Sequence, residues 1–106
     1  MSDEEINRKI EDLREKRRAR EASDLAKILN MREGRRFIWR ILSMAGVFAL
    51  SYVSEQPHET IFNEGKRSVG NLLLKDIPPE TELTMKREAA NDKLLAENEL
   101  KEIQHG

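Results

Sequence analysis

The chain has 106 residues, 37% of them charged and 38% hydrophobic, with a net charge of −1. That length allows one small domain, which hides only roughly 60–65% of the surface its unfolded form exposes. With no cysteine there is no disulfide, thiolate zinc site or cysteine nucleophile, and two histidines, His58 and His105, cannot make a histidine-rich metal centre. Five glycines and three prolines are too few for a turn-rich β-sandwich.

The first predicted element is a helix over residues 3–20. Ser2 or Asp3 can cap its start, and Glu5 sits where a reciprocal cap would. Its apolar stripe, Ile6, Ile10 and Leu13, is thin and fades at Arg17. Such a stripe buries little, so this segment reads as an arm that packs on a partner. The acidic start, Met1-Ser2-Asp3-Glu4-Glu5, lacks the basic-then-apolar order of a secretory signal. The densest basic run follows, with Arg14, Lys16, Arg17, Arg18 and Arg20. These residues could contact nucleic acid. Glu11, Asp12, Glu15 and Glu21 lie among them, however, which favours a solvated, charge-balanced helix face.

Ser23 and Asp24 offer a fresh cap for a short helix carrying Leu25, Ile28, Leu29 and Met31, interrupted at Gly34. Residues 35–45 then predict a strong helix. Phe37, Ile38, Ile41, Leu42 and Ala45 line one face, Trp39 sits at the side, and Gly46 ends the helix in a left-handed conformation. Residues 47–53 read as a buried connector or a helical continuation. The apolar stretch from Phe37 to Val53 falls short of the about 20 residues that a membrane span needs and carries Arg40 and Gly46.

Pro57 opens the next helix, with Ser54 as a candidate cap, and a stripe of Ile61, Phe62, Val69, Leu72, Leu73 and Ile77 runs to the Pro78-Pro79 stop. A last helix starts at Glu80 or Thr81, its leucines scattered and its alanines raising helix propensity. The charge drifts along the chain from a small basic excess over 1–36 to an acidic excess over 78–106.

Two segments repeat. Glu33-Gly34-Arg35-Arg36-Phe37-Ile38 matches Glu64-Gly65-Lys66-Arg67-Ser68-Val69 at an offset of 31 residues, and both run on to two large aliphatics. A glycine inside a helix costs about 1 kcal/mol relative to alanine, and close helix approach is the usual compensation. The expectation is two helices packed at Gly34, Gly65 and Gly70, with the Trp39 ring opposite Gly70. Arg35, Arg36, Lys66 and Arg67 then fall at corresponding turns, either as pairs with Glu33 and Glu64 or as one anion or docking surface.

The motifs Glu-Gly-Arg-Arg-Phe-Ile-Trp at 33–39 and Phe-Asn-Glu-Gly-Lys-Arg-Ser-Val-Gly at 62–70, together with their surroundings over residues 24–77, resemble the Bbp-nineteen-like domain of tailed bacteriophages, mostly podophages. The resemblance implies a small virion component, internal or ejected with the DNA, near the portal or head–tail junction. It implies no catalytic residues. The implied locations are the virion and, during assembly, the host cytoplasm.

The chain therefore reads as an all-α protein. A central helical hairpin, residues 24–77, is flanked by a charged arm, 1–23, and an acidic arm, 78–106. No catalytic, cofactor-binding or metal-binding residue is predicted, because there is no phosphate-binding glycine loop and no His-x-x-x-His pattern. The expected partners are further copies of the chain and other virion proteins: portal, ejection or tail components. The rival readings are a scaffold-like assembly helper, a DNA-contacting protein using the basic runs, and an ejected membrane-active protein using residues 37–53.

Overall fold

A computed structural model describes residues 1–48 and 57–106, with the side chains of Pro57 and His58 left aside. Among these residues the chain is entirely helical: α1 (Asp3–Leu29), α2 (Arg32–Met44), α3 (Pro57–Leu74) and α4 (Pro79–His105). The all-α expectation holds. The expected Ser54 cap and the end of the 47–53 segment lie outside the described residues.

The local chemistry explains most of the boundaries. The Ser2 hydroxyl accepts from the Glu5 N–H at 3.2 Å, and Asp3, Glu4 and Glu5 place negative charge in the first turn of α1. The expected break at Ser23-Asp24 is absent, and α1 runs on to Leu29. The helix-forming run Leu25-Ala26-Lys27 follows directly, and the chain turns instead at Asn30-Met31. Gly34 likewise interrupts nothing and lies in the first turn of α2.

Gly46 ends α2 as expected. It adopts φ +75°, its N–H donates to the Ser43 carbonyl at 3.1 Å, and the Val47 N–H donates to the Leu42 carbonyl at 3.3 Å. This paired pattern satisfies carbonyls that the helix end would otherwise leave open. α3 stops at Leu74, short of Ile77, and the chain tightens through Asp76 and Ile77 N–H bonds to Leu73 and Leu74. Pro79 then takes the first position of α4, where a missing N–H costs nothing.

α2 is the hub and packs against α1, α3 and α4. The reason is its pattern, since it carries the strongest apolar face of the four helices. Leu42 is fully enclosed, and Ile38, Leu29, Ile77 and Met85 close the core around it. Leu25, Trp39, Ile41, Val47, Leu73 and Leu74 pack against that cluster from half-buried positions. The core therefore draws on α4 through Met85 as well as on the α2–α3 pair.

The rest of α1 and α4 projects. The radius of gyration is 19.8 Å, against about 13 Å for a globular chain of this length, and the extents are 75 × 40 × 18 Å. Ile6, Ile10 and Leu13 on α1 are exposed, as are Leu94, Leu95, Leu100 and Ile103 on α4. No helix among the described residues is long and apolar enough to cross a membrane.

Candidate functional site

The most organised polar feature lies where α1, α2 and α4 meet. Arg35, one turn into α2, is only 20% exposed. Its Nε donates to Glu88 Oε1 at 2.6 Å and its Nη2 to Glu88 Oε2 at 3.2 Å, a two-pronged pair between α2 and α4. Its Nη1 donates to the Leu29 carbonyl at 3.0 Å. That carbonyl belongs to the last turn of α1, where open acceptors and the negative end of the helix dipole both favour a cation. One guanidinium thus ties three helices together.

Arg32 and Arg36 extend the network. Arg32 lies 3.6 Å from Glu88 and 3.3 Å from Asp92, and Arg36 lies 3.8 Å from Asp92. Three arginines on one face of α2 therefore meet two acids on one face of α4. Beneath them, Trp39, Met85 and Ala89 line a small cleft of about 30 Å³. The cleft then opens into a broad trough lined by Trp39, Phe48, Ala89, Ala90 and Lys93.

The hydrogen bond from Arg35 holds the Glu88 carboxyl below its ordinary value, with Arg32 and Arg36 adding to the effect. The same bond raises the Arg35 guanidinium. Folding therefore favours ionised Glu88. Its contribution to stability is complete above the unfolded carboxylate value of about 4.3 and is withdrawn as pH falls through the lower folded value. The arginine side would lose its contribution only at pH above its already high ordinary value. Acid unfolding followed by circular dichroism should show this. Glu88→Gln should lower Tm by several degrees at neutral pH and flatten the fall in Tm between about pH 5 and pH 3.

The residues expected to pack helix on helix take different partners. Gly34 is buried against the end of α1, where an added Cβ would strike the Ile28 carbonyl. Gly70 is buried against the corner that follows α2, where an added Cβ would strike Val47 and lie 2.7 Å from the Ala45 Cβ. Gly70 therefore faces Ala45 and Val47, and the Trp39 ring stacks on Phe48 instead, with centroids 4.7 Å apart. At Gly65 an added Cβ would meet no other part of the chain within 4 Å among the described residues.

The four expected anion-binding cations are held by separate elements. Arg35 and Arg36 turn to α4, Lys66 lies over the Phe62 ring at 5.1 Å, and Arg67 pairs with Glu64 at 3.7 Å. The basic run of α1 is exposed, and Arg14 and Arg18 both reach Glu11, at 3.8 and 3.3 Å.

Sequence reasoning missed Glu88 and Asp92, which it placed in a solvated arm. A signal was present. Met85, Glu88 and Asp92 share one helical face, as do Arg32, Arg35, Arg36 and Trp39, and the two rows are complementary in charge.

Fold and site together define a small, elongated all-α protein with an arginine-tied core and projecting polar helical arms. The family profile described as Bbp19-like phage protein matches residues 25–87, well over half of the chain, and the chain belongs to that family. No curated protein and no solved structure matches it. The matched span begins at Leu25 and ends just past Met85, so it encloses all five buried core residues and leaves both projecting arms outside.

Proposed function

We propose that this phage protein is a non-catalytic structural component of a tailed-phage virion. In this reading it is an internal or ejection-type protein, assembled in multiple copies near the portal or head–tail junction. Membership of the phage family supplies the setting. The observation that carries the structural role is the shape. Two helices of about 40 Å each extend a small core and expose apolar side chains, a row of Ile6, Ile10 and Leu13 on α1 and the scattered Leu94, Leu95, Leu100 and Ile103 on α4. Thin apolar rows on polar helices gain stability by lying in the grooves of other helices, as components of an assembly do.

The site chemistry points the same way. The least exposed charged pair of this site, Arg35 and Glu88, is consumed by its own two-pronged bond, and the space beside it is small, about 30 Å³. That arrangement braces three helices.

Mass spectrometry of purified virions tests the reading. The chain is expected in mature particles at several copies each. Its presence only in precursor heads would make it an assembly helper, and its absence from both would remove it from the particle altogether.

A further inference from the structure

α4 is fastened to the core largely by charge. α1 and α3 bring apolar groups to it: Leu25 and Leu29 from α1, Leu73 and Leu74 from α3, with Gly70 against Ala45 and Val47. The positions of α4 that are not exposed are Thr81, Glu82, Met85, Glu88, Ala89 and Asp92. Met85, 2% exposed, is the one large apolar group among them. The remaining ties are ion pairs to α2: Glu88 with Arg32 and Arg35, and Asp92 with Arg32 and Arg36. The backbone joint is equally narrow. Ile77 is fixed in the core, and Pro78 follows it in an extended conformation, ψ 144°. A rotation about that bond carries α4 as a body, together with the Pro78 carbonyl that accepts from the Glu82 N–H. No hydrogen bond of the helix need break.

We propose that α4 is a latched arm, which leaves the core as one unit about Pro78 when Glu88 and Asp92 lose their charge, while α2 stays packed against α1 and α3. Arg35 drives the opening. It is mostly shielded from water and stays ionised at every accessible pH. Once Glu88 is neutral, this cation has lost its counter-charge, and the Leu29 carbonyl beside it is neutral as well. The departure of α4 lets water take the vacated place, which relieves the cost of an uncompensated shielded charge. The charged groups facing Glu88 come from α2, namely Arg32, Arg35 and Arg36, with Glu33 acting on Arg35 from farther off. All three arginines favour the ionised carboxyl, so the latch holds above the ordinary carboxylate value of about 4.3 and opens as pH falls below it. Four of the five buried core residues, Leu29, Ile38, Leu42 and Ile77, lie outside α4 and keep the rest together. The inference does not depend on where the protein sits in the particle.

Hydrogen exchange read by mass spectrometry on the full chain tests it, with protection corrected for the intrinsic rate at each pH. At pH 7 residues 82–92 and 36–44 should both be protected. Between about pH 5 and pH 2 the 82–92 amides should lose at least about tenfold in protection while 36–44 keep theirs, because an undocked polar helix is marginal by itself. Trp39 is the only tryptophan and lines the cleft beside Met85 and Ala89, so its emission should move to the red over the same range. The paired substitution Glu88→Gln and Asp92→Asn should release 82–92 already at pH 7 and leave their protection independent of pH. Loss of protection in both segments together, in the wild type or in the paired variant, overturns the proposal, since α4 would then be inseparable from the fold. Full protection of 82–92 in the wild type at pH 2, or in the paired variant at pH 7, overturns it as well.

Discussion

Leu42→Ala is expected to lower stability by about 3 kcal/mol, within the range of about 2–5 kcal/mol for emptying a buried leucine site. Leu42 is fully enclosed, at 0% exposure, and touches the cluster in which all three of its helix neighbours meet. The surrounding helices cannot collapse onto the space without pulling α2 from α1, α3 or α4, so the cavity term remains. For a domain of this size each kcal/mol lowers Tm by about 4–8 °C, so a fall of more than 10 °C is expected in thermal unfolding by circular dichroism. The same truncation at Ile103, 80% exposed near the end of α4, should change Tm little in the isolated chain. Equal losses at both sites would mean that α4 is packed along its whole length.

Gly34→Ala is the second large effect, and its sign is the informative part. Alanine is the better helix former by about 1 kcal/mol, so propensity alone predicts a gain. The added methyl group would strike the Ile28 carbonyl, which is backbone and cannot rotate away. α1 and α2 must separate, and this loosens the turn that lets Arg35 reach the Leu29 carbonyl. A net loss of about 1–3 kcal/mol is expected, as for overpacked sites. Gly65→Ala is the control. Among the described residues no other part of the chain stands within 4 Å of its new methyl group, so it should gain up to about 1 kcal/mol. Denaturant titration of the two variants side by side checks both signs, and a stabilised Gly34→Ala would mean that the α1–α2 corner is looser than its geometry implies.

These two glycines also show how physical context divides residues that look alike in the sequence. Glu33-Gly34-Arg35-Arg36 and Glu64-Gly65-Lys66-Arg67 match position for position, yet Gly34 is buried at a helix corner while Gly65 faces out. The repeat does not produce two equivalent helices clasped at equivalent points. Arg35 lies one turn into its helix, within reach of the open carbonyls of α1, whereas Arg67 sits mid-helix and pairs with Glu64 on its own helix. A helix end offers unpaired acceptors and a mid-helix position does not. The same four-residue motif therefore ties three helices at one site and forms a pair one turn apart at the other.

Sequence alone determined the features set by short-range chemistry. These are the all-α class, the Ser2 cap, the left-handed stop at Gly46, the thin stripe of the first arm and the family to which the central motifs belong. Each depends on residues within a turn or two of one another, or on a pattern that recurs along the chain. Only the tertiary structure decided that α1 is unbroken, that Gly70 meets Ala45 and Val47, that Trp39 turns to Phe48, and that Glu88 and Asp92 answer the arginines of α2. Those outcomes depend on which helix faces come together. Helical periodicity fixes the direction of each side chain around its own axis and leaves open the angle and partner across the interface, which packing around Leu42 selects.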